Sequence, residues 1–169
     1  MRGRQFVCAF VVASIVGCRG GHVSDVSHDP RDLGDYESAV VRVSGGRDAA
    51  AKNDELVEFE GEIVQRLRDG TVFARVSRED TTAQLSVNVL VEKLEDTQNP
   101  LDINGRMHAE ARATVEVVDR GTQRLVGQFS VEASDTDRPT IIVPEKGTAR
   151  SLALRNVARA VARKLRASR

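Results

Sequence analysis

The chain has 169 residues, with 25 Lys and Arg against 25 Asp and Glu, so its formal net charge is zero. That balance excludes a protein held to nucleic acid by a large positive excess. With no Trp, one Tyr and two Cys, aromatic stacking platforms and a multi-bridge disulfide framework are excluded as well.

The first segment, Met1-Arg2-Gly3-Arg4-Gln5, is basic and free of acids, and Phe6 to Val16 is apolar. A bilayer-spanning helix needs about 20 apolar residues, so this run is too short to cross. A basic start, a short apolar stretch and a small residue at its end make a secretory signal. Ile15-Val16-Gly17-Cys18 closes the run and resembles the lipobox of bacterial lipoproteins. The resemblance implies removal of residues 1–17 as a signal peptide. It also implies a diacylglyceryl thioether on Cys18 and, in most such proteins, an acyl chain on its new amino group. Palmitate-type chains would then hold the protein to a membrane, since one chain binds weakly and two or more bind stably. The residues alone leave open an ordinary signal peptide in which Cys18 is incidental. Cys8 leaves with the signal in either case, as do Arg2 and Arg4, so the mature chain has 23 basic and 25 acidic residues. Arg19 stands where an Asp would resemble an inner-membrane retention signal, which favours the outer membrane, facing the periplasm.

Residues 18–35 are polar, with Gly20-Gly21, Pro30 and Gly34 and no hydrophobic period, and read as a flexible tether behind the lipidated Cys18. His22, Asp25, His28, Asp29 and Asp32 are of metal-ligating types, but a tether supplies no fixed geometry for an ion. Residues 36–169 are expected to form a single domain.

Within that domain, Ser38 to Ser44 reads as a strand through Val40, Val41 and Val43. Lys52 to Asp69 reads as a helix, with Leu56, Phe59, Ile63 and Leu67 on one face, Asn53 as its cap and Gly70 as its stop. Thr71 to Ser77 is a second strand. Three longer strands follow, in which Leu85, Val87, Val89 and Val91, then Ala109, Ala111, Ala113, Val115 and Val117, then Leu125, Phe129, Val131 and Ala133 alternate with mostly polar residues. A period of two with one polar side predicts an antiparallel sheet covered on one face. Asp119-Arg120-Gly121-Thr122 turns the last two into a hairpin, and Asn104-Gly105 helps reverse the chain before the middle one. The small Ala109, Ala111 and Ala113 predict close approach of a helix. That helix runs from about Ala149 to Ala167, with Leu154, Val157, Ala158, Val161 and Leu165 on one face. The expected fold is α+β: one mixed, mostly antiparallel sheet of about five strands, two helices on one face, in the order β-α-β-β-β-β-α.

Catalytic patterns are not legible. There is no GxSxG, HExxH or P-loop motif. His108 opens a strand on its polar side without a partnered constellation, and Glu58, Glu60 and Glu62 are explained by helical pairing such as Glu62 with Arg66. The expectation is a non-catalytic protein without cofactor or metal. Two surfaces are candidate contacts. Arg155, Arg159, Arg163 and Arg166 form a stripe on the last helix that suits anionic headgroups or an acidic partner. The plainer reading is a solvated face whose cations complement the helix dipole. Ile141-Ile142-Val143, between Pro139 and Pro144, is an apolar triplet in the loop 135–148. It can dock a protein or fold under the core.

Several segments together resemble a bacterial lipoprotein family known only by a domain-of-unknown-function label. They are Asp54-Glu55-Leu56-Val57 through Leu67, Val72-Phe73-Ala74-Arg75-Val76, Ala113 to Asp119, Thr122 to Phe129 and the Ala-rich last helix. The element order is also similar to that of the lipopolysaccharide-assembly lipoprotein and of small α/β domains in curli-secretion and Tol-type envelope proteins. These resemblances imply a lipid-anchored envelope protein that binds a protein partner in outer-membrane assembly or maintenance. The alternative is a lipoprotein holding a small lipid, glycan or lipopolysaccharide fragment between sheet and helices.

Overall fold

The computed structural model describes residues 21–98, 107–136 and 148–169. The signal segment, Cys18, the Asn104-Gly105 turn and the triplet Ile141-Ile142-Val143 lie outside the described residues. The elements are β1 (His22–His28), β2 (Ser38–Gly45), α1 (Asn53–Asp69), β3 (Arg75–Ser77), β4 (Leu85–Gln98), β5 (Met107–Asp119), β6 (Arg124–Thr136) and α2 (Ala149–Ala167). They build one mixed sheet of six strands in the order β1-β6-β5-β4-β2-β3, with β2 parallel to both β3 and β4 and the other pairs antiparallel. Both helices cover one face, as expected: α2 lies on β5 and β6, and α1 lies beside it over β2 and β3.

The long strands follow their alternation. Val87, Val89 and Val91 of β4, Ala109, Ala111, Ala113, Val115 and Val117 of β5, and Phe129 and Val131 of β6 are all buried under the helices. Two bulges then reset the phase. The β4–β5 register slips between Val91 and Lys93, and this brings Leu94 inward. The β5–β6 register slips between Val117 and Val118, where Val126 is the extra residue. As a result Leu125, expected on the covered side, is 42% exposed.

Three local expectations are corrected. Asn53 does not cap α1. It is the first helical residue, and Glu55 reaches back to accept from the Lys52 amide at 2.8 Å. Gly70 does end the helix, but the left-handed turn falls on Thr71, at φ 49°, a conformation disfavoured for a β-branched residue. The strand expected from Thr71 is therefore delayed to Arg75–Ser77, while Val72 and Phe73 drop straight into the core.

The largest correction concerns residues 18–35. Gly21 to Asp35 is not a free tether. His22–His28 pairs with β6 as the sheet's edge strand, and a 3-10 turn at Leu33–Asp35 buries Leu33 completely. The Leu33 amide donates to the Ser168 carbonyl at 3.1 Å, at the end of α2. Pro30 sits so close over Gly127 that a Cβ there would overlap its ring. The folded unit thus begins by Gly21 rather than at residue 36. The signal was hidden because the strand's apolar residues, Val23 and Val26, are three apart, and its pairing with β6 has two register shifts that absorb the mismatch.

Candidate functional site

The candidate site is the outward face of α2 and the point where the chain from Cys18 joins it. α2 starts well because the Thr148 side chain accepts from the Ser151 amide at 3.3 Å. Its Leu154, Val157, Ala158, Val161 and Leu165 are buried as expected, and Ala153 and Ala160 join them. With the core face settled, the stripe is turned to solvent: Arg159, Arg163 and Arg166 are exposed and Arg155 half-buried.

The four arginines have different surroundings. Arg155 reaches Glu58 of α1 at 3.7 Å. Arg159 donates to the Asn156 side-chain oxygen at 3.1 Å, and Asn156 in turn donates to Asp135 of β6 at 2.9 Å. Arg163 donates to the Gly21 carbonyl at 2.6 Å. Arg166 lies in the last turn with Lys164, where cations complement the helix dipole. Asn156 and a Gly21 carbonyl are neutral acceptors, so Arg159 and Arg163 keep their charge uncancelled by those contacts.

Sequence reasoning missed Gly21, Asp29 and Lys164 as part of this face. A Cβ on Gly21 would overlap the Asn156 carbonyl and press on Ala160, so only glycine lets the chain lie on α2 there. Lys164 pairs with Asp29 at 2.5 Å and holds its carboxyl below the usual range, with partial burial opposing. The Gly20-Gly21 pair was the available clue.

A second feature lies at the far end of β5. Tyr36 donates to Asp119 at 3.0 Å, and the other Asp119 oxygen accepts from the Gly121 and Thr122 amides at 2.8 and 3.0 Å. Burial, then the bond to Asp119, pushes the Tyr36 phenol up. The Thr122 amide chiefly, and Tyr36 with it, brings the Asp119 carboxyl down. An open cleft of about 530 Å³ runs from here past Asp29 and Asp32 to Arg124 and Leu125. It is a turn held by an aspartate, shaped by the hairpin, and among the described residues no group of His, Cys, Asp and Glu has metal-binding geometry. His108 is on the outer sheet face near the start of β5, far in sequence and register from Tyr36 and Asp119.

Among the described residues, apolar side chains of sheet and helices meet between the two layers. Phe59, Ile63 and Leu67 of α1 and Val157, Val161 and Leu165 of α2 form one contiguous core with Val87, Val89, Ala111 and Val131.

No protein-family model matches the chain, and comparison with curated proteins gives no match. Solved structures do share its fold. The PelC dodecamer from Paraburkholderia phytofirmans is 19% identical, with a TM-score of 0.56 over 86% of this chain and 97% of that one. Protein CT253 from Chlamydia trachomatis is 15% identical, with a TM-score of 0.54 over 77% and 96%. Protein XCC0632 from Xanthomonas campestris, of family DUF330, is 14% identical, with a TM-score of 0.52 over 77% and 81%. The chain therefore has a fold found in bacterial proteins, one of them from a family named only as a domain of unknown function.

Proposed function

We propose that this chain is a lipid-anchored protein of the bacterial envelope that acts as a non-catalytic binding or adaptor module. It would be held in the outer membrane facing the periplasm. The observation that carries the proposal is Ile15-Val16-Gly17-Cys18 at the end of a short apolar run, three residues ahead of a chain already packed on the domain at Gly21. A rigid sheet-and-helix body joined to acyl chains by so short a link suits a protein that presents a surface at the membrane.

The described residues supply material for contacts rather than for turnover. The polar sheet face is closed into pairs, Lys93 with Glu110 at 3.1 Å, Thr114 with Glu92 at 2.7 Å, and Arg112 with Glu132. The α2 stripe is the contact surface we assign, with anionic headgroups or an acidic partner as its occupant, and the apolar triplet Ile141-Ile142-Val143 is a candidate protein contact by its sequence. A ligand held between sheet and helices is the weaker reading, because the described side chains of the two layers meet there in one contiguous apolar core.

Labelling cells with radioactive palmitate tests the anchor. The wild-type chain should carry label and stay with membranes, and Cys18→Ser should lose both. A Cys18→Ser precursor that is processed and retained like wild type would remove the basis of the proposal. Affinity capture from detergent-solubilised membranes, with Arg155, Arg159 and Arg163 substituted, tests the partner surface. Unchanged recovery would exclude the stripe as that surface.

A further inference from the structure

We infer that the outward face of α2, with Arg159, Arg163 and Arg166, rests on anionic phospholipid headgroups of the leaflet that holds the Cys18 acyl chains. The inference deepens the anchor reading and rests on it for the origin of the acyl chains.

The first argument is length. Gly21 is the third residue after Cys18, and a chain extends by at most about 3.6 Å per residue, so the Cys18 Cα lies within about 11 Å of the Gly21 Cα and the thioether no more than a side-chain length beyond that. Gly21 does not swing away from the domain. A Cβ on it would overlap the Asn156 carbonyl, its own carbonyl is held by Arg163 at 2.6 Å, and His22 immediately enters the β1–β6 pairing opposite Glu132. Screening at physiological ionic strength acts over about 8 Å. A link this short brings the surface around Gly21 into the field of the headgroups, and Arg163, which holds the Gly21 carbonyl, belongs to that surface.

The second argument is charge. α2 contains six Lys and Arg and no acid. Three are engaged by carboxylates: Arg150 by Glu55 at 2.8 Å, Arg155 by Glu58 at 3.7 Å and Lys164 by Asp29 at 2.5 Å. The other three are Arg159, Arg163 and Arg166, all exposed; the contacts described for Arg159 and Arg163 are to neutral oxygens. Arg42, Arg47, Arg75 and Arg124 are exposed as well, but they lie singly on β2, the loop after it, β3 and β6. Of the two helices only α2 lacks acids, since α1 carries Asp54, Glu55, Glu58, Glu60, Glu62 and Asp69 beside Arg66 and Arg68. The α2 cations thus form a cluster, and Arg163 within it touches Gly21.

The test supplies the anchor chemically. The mature chain from Cys18 is coupled through its thiol to a maleimide-headgroup lipid in vesicles, either phosphatidylcholine alone or with phosphatidylglycerol. Arginine modification by a glyoxal reagent is then mapped by mass spectrometry. Arg159, Arg163 and Arg166 should react several-fold more slowly on the anionic vesicles, while Arg75 of β3, exposed at the sheet edge opposite β1, should react equally on both. Equal rates at the three arginines on both vesicles would overturn the inference. A companion measurement uses the uncoupled Cys18→Ser mature chain in vesicle flotation. Each basic residue at an anionic surface contributes about 1 kcal/mol, or about fivefold. The triple variant Arg159→Glu, Arg163→Glu, Arg166→Glu should therefore lose at least about 100-fold in partitioning, whereas Arg42→Glu, Arg47→Glu, Arg75→Glu, which makes the same change in net charge, should lose far less. Equal losses in the two variants would reduce the effect to net charge and refute the assignment. Palmitate labelling is a separate readout. A cell-made chain without label, whose coupled form still shields α2, defeats the anchor reading alone; normal labelling with no shielding defeats this inference alone.

Discussion

Substituting Arg150 by Met tests how the two helices and the sheet are fastened together. Arg150 is in the first turn of α2, the end of a helix where a cation is disfavoured by the dipole. Its position is explained by where it points. The guanidinium makes a two-pronged pair with Glu55 of α1 at 2.8 and 2.9 Å and donates to the Ala50 carbonyl at 2.6 Å. It also approaches Leu94 and Asp96 of β4, each at 3.4 Å. The Arg150 and Glu55 side chains are only 15% and 22% exposed. Breaking a buried ion pair from one side costs about 3–5 kcal/mol. Here the remaining carboxylate keeps the Lys52 amide at 2.8 Å and some water, and Met replaces the aliphatic stem, so about 2–3 kcal/mol is expected. For a chain of this size that lowers Tm by roughly 5–10 °C.

The pH dependence gives a second check on the same pair. The bond to Arg150 is the main cause of the lowered Glu55 carboxyl, with burial opposing it. A lowered folded value means the stabilisation is complete above the ordinary Glu value of 4.5 and is lost as pH falls through the folded value. The difference in Tm between wild type and Arg150→Met should hold at pH 7 and narrow progressively below about pH 4. Scanning calorimetry on both proteins and on the Glu55→Gln/Arg150→Met double variant should yield a coupling energy of about 1–2 kcal/mol. A Tm within about 2 °C of wild type, or a difference that is flat down to pH 3, would refute the reasoning.

Two further outcomes follow from local geometry. Tyr36 is the single tyrosine of a chain without tryptophan, so its ionisation can be followed directly by ultraviolet absorbance. Burial and Asp119 raise it, so its midpoint should lie above 10 and Asp119→Asn should lower it only in part, because burial, the larger cause, remains. The stabilisation tied to it is full below the ordinary value and disappears as pH climbs through the folded one; a midpoint at 10 in wild type would contradict the described contact. For the other, Gly21→Val should lift the start of β1 from α2, costing about 1–3 kcal/mol. Hydrogen exchange should show early loss of protection in His22–His28 while β4 and β5 hold, whereas Gly34→Ala, with only the Arg169 carbonyl at 3.7 Å, should change little. Identical exchange in both variants would mean that β1 does not depend on the Gly21 contact.

Much of the fold was legible because its central elements repeat their own period. The bounds of α2, the covered faces of β4 and β5 and the alanine stripe beneath α2 all follow from spacings of about 3.6 and 2 within a dozen residues. The stripe of Arg155, Arg159, Arg163 and Arg166 was legible for the same reason, since a helix face is fixed by its own sequence. Leu125 was misplaced because a bulge is a property of two strands, and nothing within β6 announces the slip against Val117 and Val118.

The amino-acid sequence by itself determined two helices over an alternating sheet and a last helix with cations and no acids. Only the tertiary structure decided that Gly21 to Asp35 belongs to the body, that Arg150 turns inward, and that the chain reaches α2 beside its outward arginines. The physical reason is the range of the interactions involved. Helix and strand periods are written in neighbours, whereas β1 is held by backbone bonds to β6, by Leu33 against the end of α2 and by Asp29 with Lys164. Those partners lie about a hundred residues or more along the chain, and no local pattern of side chains encodes them.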